Sequence, residues 1–301
     1  MDVSIITINY NSSKYTLKLI ESIIKNIPSN ISYEIIITDN ASHIDDYKNL
    51  TNQKPNDSRI KIHRSTINTG FSGGNMYGYK NAKGKNLLFI NNDCICLNDV
   101  LTPLLNFIKV NKSAALLTGK ILGKDGKSSG THKLFPSMLK SILGTGASRM
   151  INRKFISPKN ESYCPIQVQV VSGAFMFFRR DVFDSIGGFD TDFFLYCEEE
   201  DISMRIWNIG MEVYMIPESK VFHEHGGSSS SSSDLVNEYY ISYRKLIFKH
   251  YNFLYGLIMM GFVYLSIIKN YFKSKVNIKL IKLALKGFPE KHSLRYKENN
   301  K

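Results

Sequence analysis

The sequence predicts an α/β fold built on a mostly parallel sheet, and three observations carry that expectation. Short apolar runs recur at residues 3–8, 33–38 and 87–90. Segments of helical character separate them, so that strand and helix alternate about every 25 to 30 residues, as in repeated βαβ units. Each apolar run ends in polar residues: Asn9 to Ser12, Asp39 to Ser42, and Asn91 to Asp93.

Residues 3–8, VSIITI, read as a strand buried on both faces. Residues 15–27 follow with Leu17, Ile20, Ile23 or Ile24, and Ile27 at helical spacing. Residues 33–38, YEIIIT, form a second strand, and residues 60–63 a short third one. Asn68-Thr69-Gly70-Phe71-Ser72-Gly73-Gly74-Asn75 then opens a helix toward Lys83. Its glycines allow close approach of a ligand to the backbone, and a helix N-terminus favours phosphate. The spacing is neither GxGxxG nor GxxxxGK[ST], so neither a dinucleotide fingerprint nor a P-loop is supported. Residues 86–93, NLLFINND, add a central strand with Asp93 beyond its end. Parallel strands share a C-terminal edge, and open α/β sheets bind ligands there. A carboxylate held at that edge suits a hard cation such as Mg²⁺.

Residues 110–163 are less regular. A hairpin is expected over 119–130, around Lys124 to Lys127, and residues 133–162 are polar and basic without periodicity, either a loop over the site or a helical excursion. Strand character returns over 168–179, broken by Ser172-Gly173-Ala174, a small-residue interruption of the kind that marks close backbone or ligand approach. Gly187-Gly188-Phe189-Asp190 and the aromatic run 193–196 lead into Glu198-Glu199-Glu200-Asp201 and a helix over 202–209. A helix dipole favours exposed acids in the first turn by about 0.3–1 kcal/mol each. Acids that directly follow buried residues also sit at the core edge, where a general base belongs. Two short strands are expected at 212–216 and 220–222; His223-Glu224-His225 offers a His-x-His pair for a metal, and six serines over 228–233 read as a linker.

The charge of +13 comes from 39 Lys and Arg against 26 Asp and Glu, and its placement is uneven. Residues 244–301 carry 13 Lys or Arg against two acids, and the rest of the chain is almost neutral. A nucleic-acid-binding domain spreads basic residues over its folded surface. Here the charge lies beside an apolar stretch, which points to an anionic membrane surface and no nucleic acid. The 18 uncharged residues 251–268, between Lys249 and Lys269, reach only the lower limit for a span. Residues 276–286 put Ile278, Ile281 and Leu285 on one face and Lys279, Lys282 and Lys286 on another, the pattern of a surface helix. Peripheral or hairpin-like attachment is favoured over a full span. Cys94, Cys96, Cys164 and Cys197 lack metal-type spacing and read as thiols of a reducing compartment. The opening VSIITINYN reads as a strand rather than a signal peptide.

Six stretches in order, VSIITINYNS, TDNAS, NTGFSGGN, LLFINND, VSGAFMFFRR and GGFDTDFFLYCEEEDISMRIWNIG, cover about residues 3–228. Together they resemble the family 2 inverting glycosyltransferases of GT-A fold, in the rhamnosyltransferase-like branch that builds bacterial surface polysaccharides such as O-antigen, capsule or cell-wall glycans. The resemblance implies a GT-A domain over residues 1–228 and a helical, membrane-associating tail over 229–301. It implies that Thr7, Asn9 and Tyr10 line the nucleotide pocket and that Asp39 reads the base edge. Asn68, Gly70, Gly74 and Asn75 would border the nucleotide and diphosphate. Asn91-Asn92-Asp93 stands where the family carries its DxD-like motif, which leaves Asp93 as the main ligand for Mg²⁺ or Mn²⁺. His223 matches the family's late histidine, with His225 as the alternative. Gly173, Ala174 and Glu198 would edge the donor sugar and the acceptor. Glu199 takes the place of the catalytic aspartate, Glu198 and Glu200 being the alternatives, and Asp201 and Arg205 match a structural pair. The implied reaction moves a sugar from dTDP-rhamnose or a UDP donor to a hydroxyl of a lipid-linked oligosaccharide at the cytoplasmic face of the membrane. Two other readings are a catalytically silent GT-A scaffold and a nucleotidyltransferase; NYNSSKY is a poor fit to the glycine-rich, basic loop that the latter needs.

Overall fold

The computed structural model describes residues 1–128, 130–142, 155, 157, 162–224, 232–273 and 278–298. The first half runs β1 (Val3–Asn9), α1 (Ser13–Asn26), β2 (Tyr33–Asn40), α2 (Ile44–Gln53), β3 (Ile60–Ser65), α3 (Gly70–Tyr79) and β4 (Asn86–Ile90). Then come β5 (Cys94–Cys96), α4 (Leu101–Val110), β6 (Ala114–Leu122), β7 (His132–Lys133), β8 (Ile166–Gln167), β9 (Val170–Val171), β10 (Phe175–Arg179), α5 (Arg180–Ser185), α6 (Glu198–Asn208) and β11 (Glu212–His223). Helices α7 (Ser232–His250), α8 (Phe253–Phe272), α9 (Ile278–Leu285) and α10 (Leu294–Glu298) follow.

Among the described residues the main sheet has the order β3-β2-β1-β4-β10-β6-β11-β5, with β8 paired to the outside of this path on β11. Strands β1 to β4 are mutually parallel, as are β6 and β11, while β10 enters antiparallel between β4 and β6. The apolar runs are buried on both faces because helices cover both. Val3, Ile5, Ile35 and Leu88 pack with Leu19, Ile20 and Ile23 of α1 on one side. Ile6, Phe89 and Phe178 pack with Phe183, Phe189 and Ile202 on the other. Phe89 lies edge-on to Phe189 at 4.9 Å and 5.1 Å from Phe183, so its removal would open a cavity costing about 3–5 kcal/mol.

Strand β6 lies in a segment that the sequence left irregular. Its apolar run is cut short by Thr118-Gly119-Lys120, which hides the strand signal. The glycine is required there: a Cβ on Gly119 would come within 2.5 Å of the Ser219 carbonyl oxygen, where β11 shifts register between Ile216 and Lys220. The same irregularity joins the two short strands expected at 212–216 and 220–222 into one bent strand. The hairpin expected at 119–130 is a tight turn, closed by the Gly123 N–H on the Lys127 carbonyl at 3.0 Å.

The glycines of α3 serve packing. A Cβ on Gly74 would meet Ile8 at 2.8 Å, and one on Gly78 would meet Ile6 at 2.8 Å. Gly70, at φ +72°, faces the Phe194 carbonyl, 2.0 Å from where its Cβ would stand. Gly74 and Gly78 thus allow close helix–sheet contact.

The boundary expected at residue 228 falls outside the described residues. Beyond it, α7 is fastened to α6: Leu246 packs with Phe193, Cys197 and Met204. Helices α7, α8 and α9 share a small core of Ile241, Met260, Ile267, Leu280, Leu283 and Phe288. Helix α8 is the one described helix long and apolar enough to cross a membrane, with mean hydropathy 1.5 over a window that is 22% buried. Phe253, Leu254, Leu265 and Phe272 are exposed on it.

Candidate active site

At the ends of β1 and β2 the polar residues bind one another. Asn9 donates to Asp39 at 3.0 Å, to Ser42 at 3.1 Å and to Asp46 at 2.8 Å, and accepts from Thr16 at 2.8 Å. Asp39 also receives the Ser42 N–H at 3.3 Å and lies 3.4 Å from Arg64 Nε. Arg64 in turn stacks on Tyr47 at 4.3 Å. Burial opposes the charge of Asp46, but hydrogen bonds from Ser13 and Asn9 outweigh it and hold the carboxyl below its usual range. Two left-handed residues, Asn11 (φ 51°) and Ala41 (φ 63°), turn the chain away after each strand. Asn9 is thus an organiser of this corner. Tyr10 follows it at half exposure. Thr7 is fully buried, and its hydroxyl has no hydrogen-bond partner among the described residues. Asn68 receives the Asn40 amide and the Gly70 N–H, both at 2.9 Å, and Asn75 is buried on α3.

The three residues after β4 diverge. The Asn91 N–H donates to the Ala174 carbonyl at 3.0 Å. Asn92 turns its amide into α1, donating to Ser12 at 2.7 Å and Thr16 at 2.9 Å. Asp93 meets His223, whose Nε2 is 3.0 Å from Oδ1; their side chains are 8% and 12% exposed. The β5–β11 ladder makes the meeting possible, since it sets His223 opposite Cys94. Asp93, Cys94 and His223 present ligand atoms within 4.8 Å of one another. Burial, reinforced by Asp93, keeps the Cys94 proton on, and its thiol donates to the Ala174 carbonyl at 3.5 Å. A buried carboxylate beside an imidazole fits a divalent cation; a buried neutral thiol does not. His225 lies outside the described residues.

The acidic cluster begins on a bend. Tyr196 (φ 73°) and Cys197 (φ 69°) are consecutive left-handed residues, a conformation that costs non-glycine residues energy and persists where surrounding structure enforces it. They deliver Glu198 to Asp201 onto the first turn of α6. Burial, then the charge of Glu199, pushes the Glu198 carboxyl well above the carboxylate range, and its Oε1 has no partner among the described residues. Burial and Glu199 also raise Glu200. Glu199 is paired to Lys133 Nζ at 3.0 Å, and the same ammonium contacts Glu200. Asp201 is fully buried and charged: burial opposes ionisation, but His250, Arg205 and Lys249 together bring the carboxyl down to about 2. His250 and Lys249 reach its Oδ1 at 2.7 and 2.6 Å, and Arg205 its Oδ2 at 2.7 Å.

Gly173 joins the two halves. A Cβ there would stand 3.7 Å from the Glu199 carboxyl carbon, and the next residue, Ala174, bonds Asn91. Asp93 and Glu199 are therefore bridged by a short run of contacts through Asn91, Ala174 and Gly173. Lys133, Lys249 and His250 escaped the sequence reading. Lys133 is one of several basic residues in an aperiodic segment, and the other two lie in a stretch read as tail.

Residues 4–187 match the profile described as "Glycosyl transferase family 2". "Probable N-acetylgalactosaminyltransferase 6" of Caenorhabditis elegans is 26% identical over 75% of this chain and 38% of its own length. "Rhamnosyltransferase WbbL" of Escherichia coli (strain K12) is 28% identical over 48% of this chain and 54% of its own. This chain thus spans well under two thirds of such relatives. Among solved structures, GalNAc-T7 with UDP, GalNAc and Mn²⁺ superposes with a TM-score of 0.60 at 19% identity, over 82% of this chain and 47% of that one. S. aureus TarS 1-349 with UDP-GlcNAc gives 0.57 at 18%, over 97% and 83%. At such identities the structures establish a shared fold, the GT-A arrangement of a mostly parallel sheet between helices. With the profile covering more than half of its residues, the chain belongs to glycosyl transferase family 2.

Proposed function

We propose that this chain is a metal-dependent, inverting glycosyltransferase that moves a sugar from a nucleotide-sugar donor to an acceptor hydroxyl, with Glu199 as general base. One observation carries the reading: the Asp93–His223 pair and the Glu199 carboxylate stand at one sheet edge, linked through Asn91, Ala174 and Gly173. A divalent cation on Asp93 and His223 would supply charge neutralisation for the leaving diphosphate. The imidazole favours Mn²⁺ over Mg²⁺, which takes oxygen ligands. Glu198 and Glu200 are raised toward their neutral forms, so neither competes well as proton acceptor. Glu199 takes the acceptor hydroxyl proton; the oxygen forms its bond to the anomeric carbon from the face opposite the diphosphate; the bond to the diphosphate breaks and the nucleoside diphosphate leaves. Thr7 and Asp39 border the nucleoside, and Asn68 and Asn75 the diphosphate side.

The donor is a UDP-sugar or dTDP-rhamnose. The relatives solved with UDP favour uracil; the relative named a rhamnosyltransferase favours thymine. The exposed apolar residues of α8, beside the tail's excess of lysine, support attachment to the cytoplasmic face of an anionic membrane, where a lipid-linked oligosaccharide of bacterial polysaccharide synthesis would be the acceptor. The test is thermal unfolding with UDP, dTDP and NAD, each with and without Mn²⁺. A ligand at a hundredfold excess over its Kd stabilises the folded state by about 2.7 kcal/mol. A Mn²⁺-dependent rise with UDP or dTDP supports the reading and selects the base. No rise with either nucleotide sinks it, and binding without turnover on any acceptor leaves the silent scaffold.

A further inference from the structure

We propose that Lys133 is a positioning residue for the base: it binds one oxygen of Glu199 and leaves the other, Oε2, facing the donor side, where it takes the proton. This rests on the reading of Glu199 as the base. The Lys133 Nζ lies 3.0 Å from Glu199 Oε1. The second oxygen, Oε2, is 3.8 Å from where a Cβ on Gly173 would stand. Gly173 precedes Ala174, whose carbonyl receives the Asn91 N–H close to Asp93. The two oxygens of one carboxylate are therefore in different settings. Oε1 is engaged by the ammonium, and Oε2 faces the run of residues that leads to the Asp93–His223 pair.

The backbone that carries the ammonium is fastened on both sides of it. Strand β7 pairs antiparallel with β9, which sets Lys133 opposite Val170, and the Ser172 N–H donates to the Thr131 carbonyl at 3.0 Å. The strand that orders Lys133 is thus the one that runs on into Gly173. Beyond Lys133, the Phe135 N–H donates to Gln169 Oε1 at 2.8 Å, and the Met138 N–H to the Tyr255 hydroxyl of α8 at 2.9 Å. A side chain on a backbone fixed in this way can orient a second one.

Charge gives Lys133 a second effect on the base. Glu199 stands between Glu198 and Glu200 on the first turn of α6, with Tyr196 and Cys197 on the bend before it; Tyr239 of α7 faces Lys133 and Glu200. Neighbouring carboxyls disfavour one another's charge, and a cation in contact offsets that. Burial works against the charge of Lys133, but Glu199 and Glu200 outweigh it and keep the ammonium protonated. With its side chain 41% exposed, Lys133 adds little to fold stability through this pair. What it does fix is the orientation of the carboxylate that meets the acceptor hydroxyl.

Kinetics on the full chain with Mn²⁺ test this. The donors are UDP-glucose, UDP-N-acetylglucosamine and dTDP-rhamnose, water serves as acceptor, and release of UDP or dTDP is the readout. Lys133→Met is expected to lower kcat about 10²-fold, the cost of a misplaced reacting group, with donor KM unchanged. The acidic limb of its kcat profile should move toward neutral pH. Lys133→Arg keeps the charge but not the shape, so it should restore the limb and part of the rate. A native kcat and acidic limb in Lys133→Met overturn the proposal, and so does a loss confined to KM, which would make Lys133 a donor contact. Should the methionine variant not fold, nitrogen-15 NMR of the metal-free native chain decides. The Lys133 ammonium protons, assigned by their loss in Lys133→Arg, should exchange with water more slowly than those of the other lysines; equal exchange removes the positioning role. A native chain that binds UDP or dTDP but releases neither from any donor has no working base to position, and the proposal falls. Absence of binding to both nucleotides instead overturns the transferase reading beneath it.

Discussion

Two acidic groups border the same sheet edge and behave in opposite ways. At the ends of β1 and β2, Asp39 and Asp46 are tied by Asn9, Ser13, Ser42 and Arg64. On α6, Glu198 and Glu200 each keep a buried oxygen without a partner among the described residues, and Lys133 is shared between Glu199 and Glu200. Hydrogen bonds hold Asp46 below its ordinary range while burial drives Glu198 above it. The first group is a finished frame. The second concentrates strain and shifted carboxyls where, in the proposed mechanism, a proton is taken. Asp201 shows that the α6 environment is not uniformly hostile to charge: next to Glu200, hydrogen bonding by His250 and the charges of Arg205 and Lys249 ionise a fully buried carboxyl.

Perturbing each group in turn gives effects that fall in order. Glu199→Gln is expected to lower turnover by about 10²–10⁴-fold, the usual worth of a positioned acid–base group, while UDP binding persists. Steady-state rates with a competent acceptor measure this; a near-native rate removes Glu199 from the mechanism. Asp201→Asn leaves Arg205 and Lys249 facing a neutral partner and should destabilise the fold by about 3–5 kcal/mol in denaturant unfolding. Asp93→Asn should abolish the Mn²⁺-dependent part of nucleotide stabilisation, a loss of at least about 10–100-fold in metal response, since even an outer partner's removal has that effect. Asp46→Asn, in the satisfied frame, is expected to cost only about 1 kcal/mol, because the site is partly open to solvent.

Protonation sharpens the contrast further. Asp201 has a folded value near 2, below its unfolded value of about 3.9. Its stabilisation is therefore present above about pH 4 and is lost as pH falls from there through about 2. Glu198 is shifted the other way, so its contribution is most favourable below its unfolded value of about 4.3 and declines as pH rises above it. Glu198→Gln should flatten that decline and leave the protein as stable at neutral pH or more so. A pH series of unfolding midpoints on the two variants checks both signs.

Much of the frame was legible because its residues terminate apolar runs: Asp39 ends β2, Asp93 follows β4, and the four acids follow Phe193 to Tyr196. The alternation that defines a parallel sheet also defines its C-terminal edge. Lys133 was not legible, since one basic residue among several in an aperiodic segment gives no sign that two glutamates will receive it. Nor was β6, whose apolar run is interrupted by the glycine that its neighbour requires. The glycines of α3 carry a second demand that the sequence does not separate from the first. Close approach to a ligand and close approach to a sheet demand the same residue, and only the positions of Ile6 and Ile8 distinguish them.

The fastening of α6 by Lys249 and His250 also bears on how the molecule is made. Strands β1 to β4 find their partners within the first 90 residues, and a chain emerging from the ribosome can assemble them early. Asp93 must wait for His223, and Asp201 for Lys249 and His250, partners of high sequence separation that close slowly. Until then a carboxyl destined for the interior has Arg205 beside it but neither Lys249 nor His250, and Phe193 and Cys197 lack the cover of Leu246. The nascent chain thus passes through an interval in which the edge formed by β1 to β4 can already assemble and the Asp93–His223 and Asp201–His250 contacts cannot.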